Sequence, residues 1–372
     1  IELLSKRFRK VYVIVRYKPI AEISRLIPIR ALTIHQKRFA IQQNGKPKNV
    51  HIYLAPLWYL PSKMFYKILG RYHFTVVDRV IKKNKLKFDF IHAHFTWTSG
   101  YVANKLKNKY KTPFVLTIHS SNTFKSQIKS GDERIYSIWR NADAIIRIKK
   151  KDIPKLRKFN KNTVYLPNGY NQELFHPIDK KVCRKGLGLP INKKILLSIG
   201  HLDECKGQIY LIRAIDILVN TYQQKNIRLY IIGEGRLRAE LEKEIQRLNL
   251  EGYIFLVGSK LHKEIPMWMN ACDIFVMSSL NEGMPISMLE ALGCGKYFIG
   301  TEVGGIPDVI NSSRYGRLVP SKDADALGKA LLESLKIRIN SDDILEYAKR
   351  FSWKEITDET YKIYSRYFKG IA

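Results

Sequence analysis

Two carboxylates eight positions apart, Glu282 and Glu290, bracket the run Glu-Gly-Met-Pro-Ile-Ser-Met-Leu-Glu. Gly283, Met284 and Pro285 form the turn between them. Gly283 has no side chain to hold a ligand away from the backbone. Pro285 lacks the amide proton that a first helical residue cannot use, so it is suited to open a helix. The amides of Ile286, Ser287 and Met288 then stand at a helix N-terminus, where free N–H groups and the helix dipole favour phosphate. A carboxylate beside that seat repels a bare phosphate and is better matched to a hydroxyl. Phosphate flanked by hydroxyls that two carboxylates can hold is the chemistry of a nucleotide-sugar.

These residues need elements to hold them. The apolar run DIFVMSS (Asp273–Ser279) reads as a strand that delivers Glu282 to a loop, and Glu290 falls on the helix after Pro285. The same alternation runs through the C-terminal half. KKILLSIG, IRLYIIGEG, YIFLVG and KYFIGTEVGG read as further strands, with helices over about Gln208–Tyr222 and up to about Leu248. The N-terminal half shows it in VYVIV, FDFIHAHF, TPFVLTIHS, ADAIIRI and TVYLPNG, whereas residues 18–65 read as irregular and rich in Pro and aromatic residues. Strands alternating with helices indicate parallel sheets, so the fold class is α/β with two doubly wound, Rossmann-like domains. The domains span residues 1–175 and 176–351, and the aromatic-rich segment 352–370 reads as a final helix. Ligands bind such sheets at the carboxyl ends of the strands. Gly200, Gly233, Gly235, Gly258, Gly283, Gly304 and Gly305 all fall there. The opening residues IELLSKRFRK read as the end of a helix, which carries the expectation that a first strand and its loop are missing from the start of the N-terminal domain.

The stretch around Glu282 resembles the defining motif of the retaining glycosyltransferases of family 4, also called glycosyl transferases group 1, which have the GT-B architecture. The resemblance covers the chain from about residue 88 to the end. It implies two Rossmann-like domains facing a central cleft, with a last helix crossing back to the first domain. It implies that Glu282 contacts the transferred sugar and Glu290 the nucleotide ribose. ILLSIGHLDECKG resembles the family's "GRL…KG" element, so Lys206 is expected to neutralise the donor diphosphate. His201 stands where Arg is usual, and imidazole offers fewer donors and less charge than guanidinium. EVGGIPDVI resembles the "GGxPE" loop and brings Gly304 and Gly305 to the donor; Lys260 lies in the loop that usually meets the nucleotide base. VLTIHSSN resembles "VLTxHGxD", so His119 is expected at a sugar hydroxyl, while His92 and His94 read as internally satisfied histidines. NADAIIRIKKKDI resembles "ADxVIAVS", with Lys149 where Ser is usual.

The implied activity is transfer of a sugar from a nucleotide-sugar to a glycan or lipid-linked acceptor in cell-surface polysaccharide or glycolipid synthesis. Glu282, His119 and Lys206 are the candidate catalytic residues. His201, Lys206, the run 283–287, Glu290, Gly304, Gly305 and Lys260 are the candidate donor-binding residues. No metal or other cofactor is expected, because basic side chains and a helix dipole supply positive charge and no DxD-type motif lies in a suitable loop.

The 372 residues carry a formal charge of +32. Residues 1–175 hold 36 Lys and Arg against 9 Asp and Glu, a net of +27, and the remainder holds 29 against 24, a net of +5. That asymmetry points to an anionic partner for the first half, foremost an anionic membrane surface met by the aromatic and basic residues around Trp58–Lys67 and Lys82–Lys87. No run of eighteen apolar residues is present. The four cysteines lack metal-ligand spacing and read as buried thiols of a reducing compartment. The expected location is the cytoplasm, at the inner face of the membrane. Two other readings stand beside this one. A sugar-nucleotide epimerase of GT-B-like shape would use the same donor residues. A non-enzymatic nucleic-acid-binding protein would explain the charge, but no nucleic-acid-binding motif is present and no nucleic-acid partner is expected.

Overall fold

The computed structural model describes residues 2–19, 45–58, 63–119 and 122–368. They divide into two compact units: Ile1–Leu166 with Thr357–Ala372, and Pro167–Ile356.

The second unit is built on one six-stranded parallel sheet. Its strands are β7 (Lys194–Ile199), β8 (Ile227–Ile232), β9 (Ile254–Gly258), β10 (Ile274–Met277), β11 (Tyr297–Thr301) and β12 (Gly316–Val319), in the order β12-β11-β10-β7-β8-β9. The runs Ile-Phe-Val-Met in β10 and Tyr-Phe-Ile-Gly-Thr in β11 are buried throughout. That is why they read as continuous apolar stretches rather than as alternating ones. The expectation that the series ends with KYFIGTEVGG is corrected by β12, a four-residue edge strand whose central Arg317 interrupts any apolar run. Strand β7 pairs with β8 on one side and β10 on the other. The strand order therefore reverses between β7 and β10, and the loops leaving their carboxyl ends flank the place where such sheets take ligands.

The first unit holds two separate parallel sheets. One pairs β1 (Val11–Tyr17) with β2 (Val50–Pro56), and the other orders β3 (Ile91–His94), β4 (Phe114–Ile118), β5 (Ala144–Arg147) and β6 (Thr163–Tyr165) in sequence. The reading of residues 18–65 as irregular is corrected over Val50–Pro56. The prolines at 47 and 56 flank that strand and gave the segment the look of a loop, yet a proline at a strand end breaks no ladder. Residues 20–44 and 59–62 of that stretch lie outside the described residues. A 21-residue helix, Lys63–Lys83, packs Leu69, Val76, Val77 and Ile81 against Ala55, Leu57, Val102 and Leu106. A second core gathers Phe114, Leu116, Ile118, Phe124, Ile135, Ile138 and Trp139.

The last helix, Trp353–Tyr364, enters the first unit from Thr357 onward. There Tyr364 lies 4.6 Å from Phe90, Phe8 meets Tyr361 edge-on at 5.9 Å, and Arg7 pairs with Asp358 at 2.7 Å. Tyr361, Tyr364 and Phe368, three of the aromatic residues that marked this segment in the sequence, thus pack against the first unit.

Candidate functional site

The loops leaving β7 and β10 are tied together at the point where the strand order reverses. Lys206 ends a 3-10 turn, Glu204–Lys206, and donates from Nζ to Glu282 Oε1 at 2.6 Å. Ser279 Oγ donates to the same oxygen at 2.7 Å. Glu282 is buried, at 9 % exposure. Backbone bonds hold the two loops in step, since the amides of Leu280 and Asn281 both donate to the Cys205 carbonyl, at 2.8 and 3.3 Å, and Ser278 Oγ donates to the Lys206 carbonyl at 3.1 Å.

The Gly-Gly loop backs this arrangement. Gly304 has φ +67°, and a Cβ there would stand 2.4 Å from the Glu282 carbonyl oxygen. Only glycine admits both the conformation and the approach. The Gly305 amide donates to the Gly283 carbonyl at 2.7 Å, and Asn168 Nδ2 donates to the Met284 carbonyl at 3.0 Å. Pro285, expected as the first helical residue, occupies the N-cap instead, and the helix runs Ile286–Gly293 with no side-chain cap. The leading amides of Ile286, Ser287 and Met288 therefore carry no side-chain cap.

Glu290 is buried on that helix and accepts from, or shares a proton with, His262 Nε2 at 2.8 Å. Burial raises its carboxyl above the ordinary range, and the His262 bond pulls in the opposite direction. His262 was not singled out in the sequence; it sits two residues beyond Lys260, in a 3-10 turn whose register no periodicity reveals. Lys260 is exposed. His201 is also exposed, its Nδ1 3.4 Å from the Glu234 carbonyl, and it makes no hydrogen bond to Lys206 or Glu282 among the described residues. Of the four cysteines, Cys183, Cys272 and Cys294 are buried, but Cys205 is exposed, which corrects the expectation of four buried thiols.

The first unit carries its own row of polar groups at the carboxyl ends of β3, β4 and β5. His94 Nδ1 and His119 Nε2 are hydrogen-bonded at 2.9 Å with their rings stacked. One nitrogen must donate and the other accept, so the bond requires at least one neutral ring. Burial pushes His119 down to about 4, helped by the neighbouring His94 and Arg147 charges, and burial also lowers His94. His92 bonds Thr117 Oγ1 at 2.7 Å and Tyr364 OH, so it is satisfied internally. Ser120 and Ser121 of the same motif lie outside the described residues.

Two family models match the chain: "Glycosyltransferase Family 4" over residues 34–174 and "Glycosyl transferases group 1" over residues 179–351. The chain belongs to glycosyltransferase family 4. Among relatives of this glycosyltransferase, a D-inositol 3-phosphate glycosyltransferase of Corynebacterium jeikeium is 28 % identical over 76 % of this chain and 73 % of its own length. TuaC of Bacillus subtilis, named as a teichuronic acid biosynthesis glycosyltransferase, is 26 % identical over 90 % of this chain and 81 % of its own. Among solved structures, Anabaena HepE in complex with UDP aligns with TM-score 0.70 at 18 % identity, covering 96 % of this chain and all of that one. The glycosyltransferase has the GT-B fold of such neighbours, with two Rossmann-like domains.

Proposed function

We propose that this glycosyltransferase is a retaining, metal-independent enzyme that takes a nucleoside-diphosphate sugar as donor and a glycan or lipid-linked sugar as acceptor, in cell-surface polysaccharide or glycolipid synthesis. The observation that carries the donor assignment is the Lys206–Glu282 bond at the reversal between β7 and β10, with the uncapped helix start beside it. An ammonium has three donors and one is spent on Glu282, which leaves two for phosphate oxygens. Lys206, the amides of Ile286, Ser287 and Met288, and His201 then face the charge that grows on the leaving diphosphate. Positioned donors of this kind supply a large catalytic term without a metal. Glu282 and His119 hold hydroxyls of the transferred sugar, Glu290 takes the ribose hydroxyls, and the leaving phosphate accepts the acceptor's proton. The UDP bound to HepE and the teichuronic acid assignment of TuaC support this reading.

The test is a thermal-shift series with nucleoside diphosphates and nucleotide-sugars on wild type and Glu290→Ala. Wild type is expected to gain stability with at least one nucleotide, and Glu290→Ala to lose most of that gain. Full retention by the variant would sink the ribose assignment. Donor turnover without acceptor would favour the epimerase reading.

A further inference from the structure

Lys149 lies two residues beyond the end of β5 and is 2 % exposed. Among the described residues its ammonium makes no hydrogen bond and no ion pair. The Asp152 carboxylate, which attracts Lys149 electrostatically, is itself paired with Arg147. Asp152 Oδ2 accepts from Arg147 Nε at 3.0 Å and Arg147 Nη2 at 2.6 Å, while Arg147 Nη1 donates to the Ile118 carbonyl at 2.6 Å. Lys149 therefore sits among like charges. Burial pushes it down to about 8, the Arg147 charge pushes the same way, Asp152 opposes, and Lys151 and Lys125 add to the repulsion. At neutral pH the group is still mostly a cation. The Lys149 ammonium is not among the fully enclosed side-chain atoms that lack a partner.

A buried cation without a counterion is costly, and structures that keep one use it or pair it. Its position says what it would pair. Ile118 and Arg147 are register partners, so the chain just past each lies on one edge of the sheet, His119 on one side and Lys149 on the other. That is the edge where parallel sheets take ligands, and the Arg147 charge is felt at both residues.

From this we infer that Lys149 is the seat for an anionic group, phosphate or carboxylate, carried by the sugar acceptor. The inference rests on the proposed placing of the acceptor on the first unit and narrows the acceptor to a charged one. The ammonium supplies up to three donors to the incoming oxygens, and the His94–His119 pair at the same sheet edge, past the ends of β3 and β4, offers hydrogen bonds to hydroxyls.

The experiment compares wild type, Lys149→Met and Lys206→Met by calorimetric titration and thermal unfolding. The probes are glucose 6-phosphate, glucuronate, glucose, inorganic phosphate and uridine diphosphate. Wild type is expected to bind the charged sugars and not glucose, and to bind glucose 6-phosphate more tightly than inorganic phosphate. Lys149→Met should weaken binding of the charged sugars by about tenfold or more while keeping uridine diphosphate. Lys206→Met should show the opposite pattern. In anion-free buffer Lys149→Met should melt higher than wild type, because it removes an unpaired buried charge; a purely structural lysine would make it melt lower. Equal binding of charged sugars by wild type and Lys149→Met overturns the inference, as does binding of glucose at the same strength. Equal binding of inorganic phosphate and glucose 6-phosphate overturns the assignment to an acceptor. If uridine diphosphate fails to bind wild type while the Lys149 pattern holds, the donor reading falls and this one stands.

Discussion

At the scale of single residues, the second unit's site rests on an ion pair, whereas burial holds His73, His92, His94 and His119 of the first below the ordinary imidazole range. Lys206 and Glu282 pair across two loops. His73, 4 % exposed and bonded to Thr98 Oγ1 at 2.6 Å, is pushed down to about 4 by burial and by the Arg16 charge, as His119 is by its own burial. The consequence for stability has a definite sign. Each ring protonates near 6.5 in the unfolded chain but near 4 in the folded one. The stability they contribute is fully present above pH 6.5 and drains away as the pH falls toward 4. For His73 the loss at complete titration is on the order of 3 kcal/mol. Thermal melts between pH 7 and 4 should show this decline, and His73→Gln together with His119→Gln should flatten it. An unchanged slope in the double variant would show that other groups govern the acid limb. None of this was legible in the sequence, where a buried histidine and an exposed one look alike. The same holds for His262 on Glu290 and for the unpaired Lys149.

At the scale of elements, the loops around Lys206 and Glu282 depend on close backbone approaches at Gly207 and Gly304, and a matched pair of glycines isolates the second. Gly304 and Gly188 have nearly the same φ, +67° and +66°, in the same unit. A Cβ at Gly188 would meet nothing within 4 Å, but one at Gly304 would strike the Glu282 carbonyl at 2.4 Å and the Glu282 Cβ at 2.8 Å. Gly188→Ala should therefore cost only the left-handed conformation, about 1–2 kcal/mol, with transfer activity unchanged. Gly304→Ala should also displace Glu282 and lower the transfer rate by roughly 100-fold. Equal activity of the two variants would mean that the position of Glu282 does not matter to the reaction. The sequence made these loops readable because glycine and proline punctuate apolar strands that are buried on both faces. Five of the six strands in this sheet were visible for that reason. Strand β12 was not, because four residues with a central arginine carry no pattern, and β2 was hidden by its flanking prolines. The bond between Lys206 and Glu282 joins residues 76 positions apart, and spacing alone cannot reveal it; the resemblance of each loop to a family element placed both on the donor side.

At the scale of the whole molecule, charge and not fold separates the two halves. Residues 1–175 carry a net +27, and the remainder a net +5. Both halves are built on buried parallel sheets, two in the first and one in the second, so the excess lies on the surface. Lys82, Lys83, Lys85 and Lys87 stand exposed at and beyond the end of the helix Lys63–Lys83, and Trp58 is 63 % exposed in the same unit. No helix among the described residues is long and apolar enough to cross a membrane. Attraction to a surface would therefore come from basic residues, each worth about 1 kcal/mol near anionic lipid, with aromatic rings settling into the headgroup layer. Such binding must weaken with salt, because at about 1 M the screening length shrinks to about 3 Å. In flotation assays the full chain should rise with vesicles of anionic phospholipid at low salt, remain behind with phosphatidylcholine alone, and be released near 1 M salt. Reversing three charges together, Lys83→Glu, Lys85→Glu and Lys87→Glu, removes six units from the local field and should cut anionic-vesicle binding by at least tenfold, with nucleotide-dependent stabilisation unaffected. Equal partitioning into neutral and anionic vesicles, or binding that survives 1 M salt in the triple variant, would mean that the basic excess serves some other partner than a membrane.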